Sequence, residues 1–182
     1  YLMGERASMN DLMAWNADAT RMPYKMHSEY LRQLFLNNDL AENRFTVGDR
    51  PITVSDIRAP IFAVGTEWDH VAPWRSVYKF HFFADTDVTF LLTNGGHNAG
   101  IVSEPGHPRR HYRMATKKDN GRHSDPETWF ADTKVNDGSW WPEFARWLTV
   151  QSGDLVSPPS MGAPKQGLKP ICNAPGNYVF QE

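Results

Sequence analysis

The stretch APIFAVGTEWDHVAPWRSVYKFHFFADTDVTFLLTNGGHNAG, residues 59–100, decides the fold that the sequence predicts. It contains two short apolar runs, at residues 59–65 and 87–93, and each is ended by turn-forming residues. Such runs are typical of strands covered on both faces in a parallel sheet. Between them, Pro73 begins a segment with aromatic and apolar side chains at helical spacing, which predicts a helix over residues 73–84. Strand, helix and strand make a βαβ unit, so the predicted fold class is α/β.

An acid and a histidine follow the two predicted strands. Asp69 comes after the first strand, and His97 comes after the second, beside Gly95 and Gly96. The carboxyl ends of parallel strands meet at one edge of a sheet, so we expect the two side chains to lie close together. An acid that binds one imidazole nitrogen frees the other to take a proton from a hydroxyl or thiol. Either residue alone is more typical of a turn or a surface, whereas the pair in this order indicates catalysis.

The segments on either side carry helical and hairpin patterns. Residues 24–38 have apolar side chains on one helical face, which predicts a helix. Residues 45–58 resemble a short hairpin that turns at Gly48 and Asp49. Residues 139–153 predict another helix, with Ser139 as N-cap and an apolar face that contains Trp141, Phe144, Ala145 and Leu148.

Two further segments lack a clear period. Residues 103–127 are polar, basic and rich in turn formers, and are predicted to be an excursion over the surface. Residues 154–182 are rich in proline and are expected to form an extended tail on the body of the protein.

Composition narrows the class of protein. The 182 residues suffice for one domain, and the 19 basic and 21 acidic side chains create no field that would attract nucleic acid or an anionic membrane. The single cysteine, Cys172, excludes an intrachain disulfide and a cysteine-rich zinc site, which favours a cytoplasmic protein. The first residues, YLMGERASMNDL, have neither the basic start nor the apolar core expected of a signal peptide, and no apolar run approaches about 18 residues. It begins with Tyr1, which suggests a cut polypeptide.

A basic region offers two weaker hypotheses. His107 and His111 have a spacing found in zinc sites, yet no further ligand is placed to complete the set, so we expect a solvated loop and no metal. The basic side chains nearby could attract the phosphates of a ligand or could form an ordinary solvent-exposed surface. They are residues 109, 110, 113, 117, 118 and 122.

Four longer stretches resemble the carboxyl-terminal part of the polyhydroxyalkanoate synthases, and the similarity continues into PGNYV at residues 175–179. The stretches are WNADATRMPYKMHSEYLRQLFLNNDLA (15–41), GTEWDHVAPW (65–74), GGHNAGIV (95–102) and GSWWPEFARWL (138–148). Motifs this long and this rich in tryptophan rarely match by chance.

The resemblance implies an α/β-hydrolase fold with an inserted cap, and an enzyme that polymerises (R)-3-hydroxyacyl-coenzyme A into polyester with release of coenzyme A. It implies a Cys-Asp-His triad with no cofactor, because the coenzyme A thioester is the substrate. Asp69 matches the family motif D-H-x-x-P-W, and His97 matches G-H-x-A-G. The family's cysteine, in a G-x-C-x-G turn, has no counterpart, and Cys172 lies in a proline-rich segment without such a turn.

We therefore expect the nucleophile to precede Tyr1 and the isolated chain to be inactive. In this interpretation residues 1–55 derive from the cap, residues 56–153 carry the acid and the histidine, and residues 154–182 form the tail. The incomplete sheet would expose unpaired strand edges, so the isolated chain is expected to associate or to be poorly soluble.

Other residues of the motifs are candidates for minor roles. His70, Trp74 and Asn98 are candidate substrate contacts, although His70 could point away and Trp74 is more typical of a packing residue. The cap motif contains Trp15, Asn16 and Asp18, which we interpret as structural anchors. The family resemblance also implies a homodimer through the cap and association with polyester granules, whereas the charge balance predicts no nucleic-acid partner. Two alternatives are another α/β-hydrolase, such as a lipase or an acyltransferase, and a noncatalytic binding fragment.

Overall fold

The computed structural model describes residues 10–17, 20–174 and 176–177. They form two compact units, which we describe separately. One unit is Glu29–Gly153, and the other contains the described residues of 10–28 and 154–177. Among the described residues, no helix is both long enough and apolar enough to cross a membrane.

The helical segment before the sheet ends two residues earlier than the sequence predicts. After α1 (Asp11–Ala17), helix α2 (Tyr24–Tyr30) continues directly into a π-helical turn at Leu31–Leu36. The predicted helix over residues 24–38 is thus present, with its last turn widened. Its apolar face is largely open to solvent, since Met26 is 56% exposed and Phe35 is 68% exposed.

The predicted hairpin is confirmed as a minimal one. Strands β1 (Thr46–Val47) and β2 (Arg50–Pro51) pair antiparallel around Gly48 and Asp49. Gly48 has a φ of +59°, a conformation that glycine adopts without steric cost.

A four-stranded sheet forms the centre of the unit Glu29–Gly153. In spatial order its strands are β3 (Ile61–Thr66), β4 (Val88–Thr93), β5 (His111–Lys117) and β6 (Val135–Asp137). Strands β3 and β4 are parallel, whereas β4 with β5 and β5 with β6 are antiparallel. The mixed sheet and its helices confirm the α/β class.

Strand β4 is buried on both faces, as its apolar sequence predicts. Phe90 and Leu92 pack into a cluster with the aromatic side chains of the βαβ connection and with Trp129, whereas Leu91 packs on the opposite face with Tyr112 and Trp140. Phe90, Leu91 and Leu92 are each 0% exposed. Burying one such side chain fully contributes about 1.5–3 kcal/mol. Strand β4 therefore contributes to the stability of the hydrophobic clusters on both faces of the sheet.

The predicted helix over residues 73–84 is present as two short helices, α3 (Trp74–Tyr78) and α4 (Phe80–Phe83). Its inward face is as predicted: Trp74 is 5% exposed, Tyr78 is 1% exposed and His81 is 3% exposed. These rings pack on Phe90 of the strand that follows them.

The prediction of a surface excursion over residues 103–127 is wrong at residues 111–117 and 126–127, whereas residues 103–110 and 118–125 contain no helix or strand. Residues 111–117 form β5, an inner strand of the sheet, and Pro126–Asp132 form helix α5, whose N-cap Asp125 accepts hydrogen bonds from the Glu127 and Thr128 N–H groups. The strand went unrecognised because its apolar positions alternate with Arg113 and Lys117. Such a strand needs no crossover helix, since it returns antiparallel beside β4.

The last predicted helix is observed as α6 (Trp141–Gln151). Its N-cap residue is Trp140, so the prediction of Ser139 as N-cap is wrong by one position, although Ser139 Oγ accepts a hydrogen bond from the Trp141 N–H at 3.2 Å. The packed face differs from the predicted one. Trp140, Phe144 and Trp147 contact the sheet side, where Phe62 lies 5.2 Å from Phe144 and 5.5 Å from Trp147 between ring centroids. Leu148 is 42% exposed and Ala145 is also exposed. The sequence of this helix contains two overlapping apolar faces, and the face with the larger aromatic rings packs against the sheet.

The described residues after α6 contain only local structure. Pro164–Gln166 form one 3-10 turn, and Ala163 pairs with Leu168 in an isolated bridge.

Candidate functional site

Two turns that follow β3 and β4 are joined by backbone hydrogen bonds. The Glu67 N–H donates to the Thr93 carbonyl at 2.9 Å, and the Trp68 N–H donates to the Gly95 carbonyl at 3.0 Å. The pairing of the parallel strands therefore continues past their ends. It places the turn that carries Asp69 next to the turn that carries His97.

The side chains of Asp69 and His97 are in direct contact. His97 Nδ1 lies 2.9 Å from Asp69 Oδ2 and 3.1 Å from Oδ1. The Asp69 side chain is 8% exposed, whereas that of His97 is 44% exposed. The carboxylate is thus held inside the turn, and the imidazole stands between it and the solvent.

Backbone amides fix the position and the charge of Asp69. Its Oδ1 accepts hydrogen bonds from the N–H groups of Val71 at 2.9 Å and Ala72 at 2.8 Å. Burial raises the pKa of Asp69, but the hydrogen bonds from Ala72, His97 and Val71 outweigh burial and lower its pKa from 3.8 to about 2. The carboxylate is therefore ionised at neutral pH.

This arrangement can move a proton. An imidazole that donates its Nδ1–H to Asp69 carries the lone pair of its neutral form on Nε2. Nε2 has no hydrogen-bonding partner within the part of the chain that the structure describes. It is therefore available to accept a proton from an external thiol or hydroxyl.

Two glycines let the turn after β4 approach β3. Gly95 has a φ of +106°, which disfavours any residue with a Cβ. At Gly100, a Cβ would lie 2.6 Å from Thr66 Cγ2 and 3.0 Å from the carbonyl oxygens of Asn94 and Gly96. The turn that carries His97 is therefore packed directly against the last residue of β3.

The three candidate substrate contacts occupy different environments. His70 is exposed beside Asp69. Trp74 is 5% exposed and packs on Tyr78, Phe90 and Trp129, which favours its packing role. Asn98 is half-buried in the His97 turn, and its backbone carbonyl accepts hydrogen bonds from the N–H groups of Ile101 and Val102. Substrate contact by these residues stays a prediction.

The remaining candidates lie elsewhere in the chain. Trp15 and Asn16 are exposed on α1, whereas Asp18 lies outside the described residues, as do Pro175, Tyr178 and Val179 of the tail motif. Cys172 is exposed in the irregular segment after α6, in the unit that does not contain Asp69 and His97.

The histidines of the basic region have separate partners. His107 Nδ1 lies 2.9 Å from the Pro108 carbonyl, whereas His111 Nε2 lies 3.7 Å from Glu67 Oε1. The described residues contain no group of three or more histidine, cysteine, aspartate or glutamate side chains that could hold a metal ion.

An ion pair next to the site was missed at the sequence level. Arg113 Nη1 donates to Glu67 Oε1 at 3.0 Å, and the two side chains are only 15% and 14% exposed. The Arg113 guanidinium also lies 3.9 Å from the centre of the Phe130 ring. Arg113 is therefore part of the sheet's covered face. The alternation of side chains along residues 111–117 was the pattern that could have indicated a strand. The polar residues within it made the segment resemble a surface loop.

The strand ends, the ionised acid and the open histidine nitrogen define an α/β protein equipped for acid–base chemistry. No family model matches the chain. The chain is 35% identical over 181 residues to poly(3-hydroxyalkanoate) polymerase 2 of Ectopseudomonas oleovorans, covering 99% of the chain and 31% of that protein. It is 37% identical over 182 residues to the poly(3-hydroxyalkanoate) polymerase of Methylorubrum extorquens, covering 98% and 29%.

A third relative is the poly(3-hydroxyalkanoate) polymerase subunit PhaC of Rhizobium etli, 35% identical over 181 residues, with 100% of the chain and 28% of that protein covered. The chain thus spans about a third of the length of the curated relatives it matches. It belongs to the poly(3-hydroxyalkanoate) polymerase family and corresponds to a part of those longer proteins.

Proposed function

We propose that the chain is the carboxyl-terminal part of a polyhydroxyalkanoate synthase whose catalytic domain has the α/β-hydrolase fold. The whole enzyme would polymerise (R)-3-hydroxyacyl-coenzyme A and release coenzyme A. The observation that carries this proposal is the hydrogen bond between Asp69 and His97 at adjacent parallel strand ends, in a chain related over its whole length to polymerases.

In the proposed reaction the nucleophile is a cysteine from another part of the longer protein. His97 Nε2 takes the thiol proton, and the resulting thiolate attacks the carbonyl carbon of the acyl thioester. The carbon–sulfur bond to coenzyme A breaks, and the imidazolium returns a proton to the departing thiolate. This leaves an acyl group on the cysteine and free coenzyme A.

Elongation uses the same base. His97 accepts the proton of the 3-hydroxyl of the next unit, whose oxygen attacks the acyl-cysteine carbonyl to form an ester and expel the cysteine thiolate. Asp69 keeps the Nδ1–H tautomer in place and stabilises the imidazolium formed in each half of the cycle. Its carboxylate can do so at any pH well above about 2, because amides and His97 hold its pKa there.

The other parts of the chain have proposed roles that follow from the same family assignment. Residues 1–55 would belong to the cap and contribute to a homodimer, and residues 154–182 would form the tail. The enzyme would act in the cytoplasm at the surface of polyester granules.

The test is coenzyme A release by the full-length enzyme with (R)-3-hydroxybutyryl-coenzyme A, followed with a thiol reagent. His97→Gln should lower the rate by at least about a thousandfold, since loss of the base disables both half-reactions. His107→Gln is the matched control, because His107 Nδ1 lies 2.9 Å from the carbonyl of its own neighbour, Pro108. The isolated chain should release no coenzyme A. Normal turnover by the His97 variant would refute the assignment.

A further inference from the structure

The turn that carries His97 is held by side chains from a distant part of the chain. The carbonyl of Ile101 accepts hydrogen bonds from two indole N–H groups, that of Trp141 at 2.9 Å and that of Trp140 at 3.3 Å. The hydroxyl of Ser139 donates to the carbonyl of Ser103. Residues 139–141 thus hold two carbonyls that follow His97 closely in the chain.

Two of the three donors are buried, and the third stacks on one of them. Ser139 is 7% exposed and Trp140 is 4% exposed, whereas Trp141 is 38% exposed and its indole ring stacks on that of Trp140 with the centroids 4.4 Å apart. Ser139 Oγ also accepts the backbone N–H of Trp141 at 3.2 Å, which ties the start of α6 to the same point. A carbonyl oxygen has two lone pairs, so the two indoles can both bind Ile101.

The held carbonyl is coupled to His97 through one short helical turn. The Gly100 N–H donates to the Gly96 carbonyl at 2.9 Å, and the Ile101 N–H donates to the Asn98 carbonyl at 3.0 Å. His97 lies inside this turn. A shift of Ile101 therefore moves the backbone that aims the imidazole at Asp69.

We propose that the indole N–H groups of Trp140 and Trp141 are positioning groups for His97. By fixing the Ile101 carbonyl, they hold the imidazole in hydrogen-bonding reach of Asp69 with Nε2 directed outward. This inference rests on the proposed polymerase function for its activity readout, but not for its structural one. Proton transfer is sensitive to misplacement, and an error of about 1 Å can cost a hundredfold in rate.

The decisive variant in the full-length enzyme is Trp141→Phe, which keeps an aromatic ring and removes the shorter indole hydrogen bond. Trp147→Phe is the matched control, because Trp147 lies on the same helix and its ring packs on Phe62 and Phe144. We expect kcat for coenzyme A release to fall about fivefold in Trp141→Phe, as one lost hydrogen bond allows, with KM unchanged within about twofold. Adding Trp140→Phe should lower kcat further.

A spectroscopic measurement separates positioning from a general loss of stability. In enzyme labelled with 15N-histidine, the Nδ1–H signal of His97, identified by its loss in His97→Gln, should weaken or shift in Trp141→Phe and stay unchanged in Trp147→Phe. The same kcat in the two tryptophan variants, together with an unchanged Nδ1–H signal, would overturn the inference. If the unmodified enzyme releases no coenzyme A, the proposed function fails, and the Nδ1–H signal alone still decides the positioning role.

Discussion

At the scale of single residues, both oxygens of the Asp69 carboxylate are held by hydrogen bonds. Two backbone amides hold Oδ1, and the Thr66 hydroxyl lies 3.4 Å from Oδ2, the oxygen nearest His97. The two amides hold the Asp69 side chain in its rotamer independently of the hydrogen bond to His97. The imidazole therefore meets an acceptor whose direction is already set.

The lowered pKa of Asp69 predicts how stability depends on pH. The folded chain holds this pKa at about 2, below the ordinary 3.8, so the folded state binds fewer protons than the unfolded state between these values. The stabilisation is fully present above about pH 4 and is lost as the pH falls towards about 2. It should amount to about 1 kcal/mol, because the His97 side of the pair is open to water.

Urea unfolding at pH 5.5 and pH 3 checks this value. Stability of the unmodified chain should fall between the two pH values, and Asp69→Asn should remove part of that fall, because an amide does not titrate. Asp49→Asn in the exposed hairpin turn is the matched control. An equal pH dependence in the chain and in Asp69→Asn would show that the carboxylate is not held in its ionised form.

At the scale of elements, the sequence was sufficient to predict the strands whose burial appears as an unbroken apolar run. Strands β3 and β4, the inward face of α3, and the meeting of Asp69 with His97 all followed from two such runs and the geometry of parallel strands. Strand β5 did not follow. Its covered arginine, Arg113, is compatible with burial only because Glu67 and Phe130 meet it, and they are 46 and 17 positions away. Periodicity within one segment cannot reveal such partners.

The packing between the end of β3 and the His97 turn gives an element-scale prediction. Gly100→Ala should destabilise the chain by about 2 kcal/mol, because the added Cβ would lie 2.6 Å from Thr66 Cγ2. Adding Thr66→Ser removes that methyl group and should restore part of the loss. Urea midpoints measure both effects.

Gly153→Ala is the matched control for this substitution, since a Cβ there meets no atom within 4 Å. It should leave the urea midpoint nearly unchanged. A Gly100→Ala chain as stable as Gly153→Ala would mean that the His97 turn can move away from β3 without cost.

At the scale of the whole molecule, the outer edge of β3 is expected to differ between the isolated chain, where it is open, and the proposed enzyme, where another strand would pair with it. No strand pairs with that edge among the described residues, because the sheet order is β3-β4-β5-β6. The N–H groups of Ile61 and Glu67 point towards β4. By the alternation of parallel pairing, the N–H of Ala63 also points towards β4, whereas that of Val64 points to the open edge. An open edge of this kind promotes association between chains.

Proline substitutions at these neighbouring positions test whether β3 is an inner strand of the longer enzyme. In the isolated chain Ala63→Pro removes a ladder hydrogen bond and leaves the partner carbonyl on β4 without its donor, which should cost about 1–3 kcal/mol, whereas Val64→Pro spares the ladder. Val64→Pro should therefore keep its circular dichroism spectrum and lower self-association in sedimentation velocity. In the full-length enzyme the two substitutions should be equally damaging, because an α/β-hydrolase sheet would place another strand beside β3. A full-length Val64→Pro enzyme with unimpaired coenzyme A release would leave β3 at an edge and remove the support for the α/β-hydrolase assignment.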